Sequence, residues 1–240
     1  MEVIDGIEAW IYGVLALGAG VTAYTFLPGL INFVCRAMAQ VSIDEACDMR
    51  EMLDSSPPEG KVLSILVSLL AGASCLLALS HYGFTASAAL CTLLCLCLIT
   101  ASAIDLRHQF LPDLIVLPLL WVGLLSNLTG IFTSLESAVI GAAMGYAMLF
   151  VISRGFYLVT GRVGMGDGDL KLLAALGAWG GWQVLPLALV VACVIGLFFA
   201  MAYRFYSKES QGMIPFGPSL AAGGLVAILY GDMLSSMALG

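Results

Sequence analysis

Two acidic residues, Asp105 and Asp169, stand at the edges of apolar stretches, the first closing one and the second opening another. A pair of carboxyl groups can drive water onto a peptide bond. Like charges about 3 Å apart cannot both ionise, so the pair shares one proton, with one group acting as base and the other as acid. Placing a charge at the edge of lipid costs about 2.5 to 3.5 kcal/mol on insertion scales, so such residues commonly mark function.

The second aspartate lies in Gly164–Gly181, GMGDGDLKLLAALGAWGG, where Asp167, Asp169 and Lys171 stand directly against an apolar helix-like run. Gly164, Gly166 and Gly168 alternate before Asp169. A backbone without Cβ atoms lets another chain approach closely, which would place a carboxylate beside a peptide.

The elements that must hold these groups are membrane helices. Of 240 residues 61% are hydrophobic and only 10% charged, and the mean hydropathy is +1.03, which excludes an ordinary soluble domain. A net charge of -7 and a pI near 4.6 argue against a nucleic-acid partner, which would demand a basic face. Cys75, Cys91, Cys95, Cys97 and Cys193 fall inside apolar runs and behave as small hydrophobes. With no CxxC pair, no metal site is expected.

The fold class expected is all-α, a polytopic integral membrane protein of about eight transmembrane helices, at about 20 apolar residues per crossing. Residues 1–35 form the first span, near Trp10 to Phe33; Glu2, Asp5 and Glu8 replace the lysines of a cleavable signal, so this span is expected to remain as an anchor. Residues 36–61 are a short acidic cytosolic loop ending at Pro57 and Pro58. Residues 62–240 form a core of about seven helices. Its spans run near Val62 to Ser80, Phe84 to Ile104, from Asp113 onward, Leu135 to Leu158, a short glycine-flanked leg from Leu170, a return leg to Tyr203, and Phe216 to Leu234. A single helix from Leu170 to Tyr203 would reach about 50 Å, so Gly180 and Gly181 must reverse it beside Trp182. With the amino terminus outside, all nine basic residues fall on the cytosolic side, as the positive-inside rule requires. Asp105 and Asp169 then share that face.

The stretch Ile104–Asn127, IDLRHQFLPDLIVLPLLWVGLLSN, resembles the first signature of the type IV prepilin peptidases. GMGDGDLKLLAALGAWGGWQVLP resembles the second, the GxGD aspartyl protease motif, and Ile214–Gly224, IPFGPSLAAGG, is similar to the entrance of the family's last span. The resemblance places the catalytic pair on Asp105 and Asp169, with Gly166, Gly168, Lys171, Pro112 and Asp113 as substrate-binding or supporting positions. It implies cleavage of the leader from a prepilin or pseudopilin precursor at the cytosolic face of a bacterial inner membrane, with no metal and no cofactor for proteolysis. Many members also methylate the new amino terminus from S-adenosylmethionine. Those members usually carry a larger first cytosolic domain with paired CxxC motifs, which the segment Arg36 to Lys61 lacks, so that activity is set aside.

Plainer roles stand beside these. Asp105 could simply anchor a helix end, and Asp169 could cap a helix starting at Leu170. Lys171 would snorkel to the interface, and Asp113 would cap the helix from Leu114. Arg107 and His108 are polar turn residues, and the acidic loop would attract a basic leader. The competing functions are a small cation- or proton-coupled transporter with broken helices and a non-catalytic assembly factor for a pilus or secretion machine.

Overall fold

The computed structural model describes residues 61–162, 164–206 and 215–239, together with Gly13, Val14 and Gly18. Most of the expected first span, and the acidic loop up to Gly60, lie outside the described residues. Every described element is helical, and no strand occurs among the described residues.

The chain divides into two compact units, Met1–Ala103 and Ile104–Gly240. In the first, α1 (Lys61–Tyr82) leads into α2 (Ala86–His108), which runs across the division. Gly83 turns the chain between them at φ 63°, a left-handed conformation that glycine takes without a Cβ penalty. The Thr85 hydroxyl then accepts the Ala88 amide at 3.4 Å, starting α2. Cys75, Leu79 and Ala88 pack together with Tyr82, so Cys75 serves as a small apolar side chain.

The second unit holds α3 (Asp113–Ser126), a 3-10 turn (Asn127–Thr129), α4 (Leu135–Thr160), α5 (Asp167–Gly180), a second 3-10 turn (Trp182–Val184), α6 (Leu185–Tyr206) and α7 (Gly217–Leu239). Ser134 caps α4 by accepting the Ser137 amide at 3.2 Å, and Gly161 ends that helix at φ 69°. The expected reversal occurs at Gly181, at φ 80°.

Helix α5 is the axis of this unit, with every side chain from Leu172 to Trp179 buried. Glycines bring its neighbours in. The Gly141 and Gly177 backbones touch where α4 crosses α5, and a Cβ on Gly145 would lie 2.6 Å from the Leu173 carbonyl oxygen. On another side, a Cβ on Gly224 of α7 would lie 2.5 Å from Leu176 Cδ2. Small residues at such crossings let helices associate through close contact where lipid supplies no hydrophobic driving force.

The outer surfaces are apolar, with Val151, Leu158 and Val159 of α4 and Leu197 and Phe198 of α6 exposed. Among the described residues, Ala86–His108, Leu135–Thr160 and Trp182–Ala202 are long and apolar enough to cross a membrane. Helices α3 and α5 have 14 residues each, so each is about 21 Å long against a hydrocarbon core of about 30 Å.

Two expectations about helix starts are corrected. Asp113 does not cap α3, because Pro112, at ψ 127°, occupies the extended cap position and Asp113 is already the first helical residue. Helix α5 begins at Asp167 rather than Leu170, so Gly166 takes the cap position and Asp169 lies within the first turn. Lys171, in the next turn, forms an ion pair with Asp113.

Candidate active site

Asp105 sits near the carboxyl end of α2 and is only 5% exposed. The Gln109 amide donates to the Asp105 carbonyl at 2.8 Å, and Gln109 adopts φ 53°, so the helix stops within one turn of the aspartate. The Asp105 side chain has its own donor. The Gly217 amide, at the first residue of α7, donates to Oδ2 at 2.9 Å. A Cβ at Gly217 would lie 2.6 Å from that oxygen, so the contact requires glycine. The amide also belongs to the exposed donor end of a helix, where negative charge is favoured.

Asp169 is likewise buried, at 8% exposure. Its backbone amide donates to the Gly166 carbonyl at 3.2 Å, closing the first turn of α5. The Asp169 carboxyl lies in the electrostatic field of Asp105. The two aspartates, 64 positions apart (169 minus 105), thus converge within one unit.

Leu111, 4% exposed, packs against a neighbour of each aspartate. A Cβ on Gly168 would stand 2.7 Å from Leu111 Cβ, and one on Gly217 would stand 3.3 Å from Leu111 Cδ2. Leu111 therefore packs against both glycines, most tightly against Gly168. Gly166 differs: a Cβ there would meet nothing closer than the Gly168 amide nitrogen at 3.9 Å. The backbone at Gly166 is extended, at φ -78° and ψ 155°, and exposed beside Asp169.

The Lys171 ammonium lies 2.7 Å from both Asp113 oxygens. Pro112 is buried and holds the turn into α3. Asp167 is exposed. Arg107 and His108 are half-buried at the end of α2. Among the described residues no three His, Cys, Asp or Glu side chains gather in a way that could hold a metal ion.

The structure brings Asp105, Asp169, Gly168, Pro112, Asp113 and Lys171 around one set of helix ends. Sequence reasoning missed Gly217 and Leu111. The only local sign of Gly217 was its place in Pro215-Phe216-Gly217-Pro218, a glycine next to a proline at a helix start.

Residues 92–201 match the model of the type IV leader peptidase family, a segment that contains both aspartates. The prepilin leader peptidase/N-methyltransferase of Pseudomonas aeruginosa is 49% identical over 156 residues, 65% of this chain and 54% of that protein. The protein of that name from Burkholderia pseudomallei is 45% identical over 167 residues, 69% of this chain and 54% of the relative. That of Legionella pneumophila is 41% identical over 161 residues, 67% and 56%. The chain spans about half the length of the curated relatives it matches. No solved structure matches it. Its apolar helices, its two helix-end aspartates and this shared segment point the same way: residues 92–201 of the chain are those of the type IV leader peptidase family.

Proposed function

We propose that the chain is a membrane aspartic endopeptidase that removes the leader of prepilin or pseudopilin precursors. The observation that carries this reading is the convergence of two buried carboxyls at neighbouring helix ends, the Asp105 carboxyl held by the Gly217 amide. A water molecule between them gives up a proton to one carboxylate while its oxygen attacks the scissile carbonyl. The other, protonated carboxyl hands its proton onward, and the amide C–N bond breaks with that proton transferred to the leaving nitrogen. The extended, exposed backbone at Gly166, three residues before Asp169, leaves open space for a substrate strand beside the pair. Cleavage in this scheme uses only the chain's own carboxyls and water, with no metal or cofactor.

The proposal includes a topology of about eight spans, with the amino terminus outside and the aspartates facing the cytosol of a bacterial inner membrane, supported by the distribution of Lys and Arg along the sequence. The protein's own apolar surface is bathed by lipid. Purified protein incubated with a prepilin in detergent should convert it to a faster-migrating product. An unshortened precursor, under conditions where a curated relative cleaves it, defeats the reading.

A further inference from the structure

Lys171 lies two positions after Asp169 on α5, a rotation of about 200°, so the two side chains leave the helix on nearly opposite sides. The Lys171 ammonium is committed elsewhere, in the forked contact with Asp113 at 2.7 Å to each oxygen. The two partners are 30% and 45% exposed, and pairs with that much access to water contribute little to folding. What the contact does provide is a location.

Asp113 is the first residue after the short connection from α2, the helix that carries Asp105. That connection meets the first turn of α5 at two points, one on each side of Asp169. Leu111 fills the space at Gly168 before it, and Asp113 takes Lys171 after it. At its other end the same connection begins at Gln109, whose positive φ stops α2 within a turn of Asp105. Farther along, α3 and α5 stay in register, with the Trp179 indole donating to the Leu119 carbonyl at 2.9 Å, so the two helices run parallel. The separation of the two carboxyls is therefore set by a five-residue bridge, Gln109 to Asp113, clamped at both ends.

We propose that Lys171 and Asp113 are a positioning pair that holds Asp169 in reacting register with Asp105 and does not touch the substrate. The proposal rests on the peptidase reading and sharpens it. A lysine that instead bound substrate or polarised the scissile carbonyl would be needed for its charge at that very place. A positioning lysine is needed only together with its partner.

The test uses the full-length protein in detergent with a prepilin, comparing Lys171→Ala, Asp113→Ala, the double alanine variant and the exchange Lys171→Asp with Asp113→Lys. Each single alanine variant is expected to lose about tenfold to a hundredfold in kcat, the cost of small displacements of reacting groups. KM should stay within about twofold, because binding itself is untouched. The double alanine variant should be no worse than either single variant, since both remove one shared contact. The exchange should recover most of the lost kcat. Losses that multiply in the double variant, an exchange as inactive as Asp169→Ala, or single variants with wild-type kcat would each overturn the proposal.

A second measurement works without activity. Nitroxide labels at exposed positions 106 and 167, in a background with the seven cysteines replaced by alanine, report the spacing of the two helix ends. Lys171→Ala should broaden that distance distribution, and an unchanged distribution would overturn the proposal even if the precursor were never cleaved. Failure of the wild type to cleave, with broadening present, would instead defeat the peptidase reading alone.

Discussion

The two ends of α5 are held in different ways. At its carboxyl end the Asn127 side chain, 1% exposed, makes four hydrogen bonds. Its amide donates to the carbonyls of Ala178 at 2.9 Å and Trp179 at 3.1 Å. Its oxygen accepts the amides of Phe132 and Thr133, both at 3.0 Å. These are neutral, fully matched contacts, and the two to the end of α5 are buried, which fixes that helix end firmly. At the amino end there is no side-chain cap, one partly exposed ion pair and an aspartate facing another aspartate. One end is built to stay still, while the other keeps charges next to water at the cost of weaker attachment.

The comparison can be broken or sharpened by substitution. The largest effect is expected from Asp105→Asn or Asp169→Asn. Either should lower prepilin cleavage by at least about 10²- to 10⁴-fold, with the helices still inserted as judged by protease protection. Retained cleavage would remove the reacting end from the comparison altogether. Next comes Gly217→Ala, which forces a methyl group to 2.6 Å from Asp105 Oδ2. Cleavage should fall by about 10²-fold through displacement of that carboxyl, read as kcat at saturating precursor. Asn127→Ala acts at the still end. It strands two carbonyls and two amides, so a loss of about 1 to 3 kcal/mol for each buried group left unsatisfied should lower the unfolding temperature. The remaining folded protein should cleave at close to the normal rate, and a large fall in kcat without destabilisation would show that the two ends are not separate in role. The smallest effect belongs to Asp167→Ala, since that side chain is exposed. Activity should stay within about twofold, the scale of surface changes of about 0.5 kcal/mol.

Some of this was legible along the chain. The cost of charge beside lipid singled out Asp105 and Asp169, and the mismatch between a 34-residue apolar run (170 to 203) and the bilayer demanded the reversal found at Gly181. The short length of α5 followed from the same arithmetic. The contacts that set the site were hidden for a different reason. Gly217 acts through a backbone amide 112 positions from Asp105, and an amide has no side chain to announce it. The pairing of Lys171 with Asp113 spans 58 positions and depends on α3 and α5 running parallel, which no local pattern specifies. Asp113 looked like a cap because it follows a proline, yet the proline itself takes the extended conformation that a cap needs. Nothing along the chain singled out Asn127, since polar residues after an apolar run are common and only the packed fold buries this one.

The bare backbones meeting at Gly141 and Gly177 also limit how the molecule can move. Two helices touching main chain to main chain have no pliable side-chain layer in which to slide, because packed interiors resist continuous deformation. Helices α4 and α5 therefore travel as a single stiff plank, and any opening of the bundle must run along a different seam.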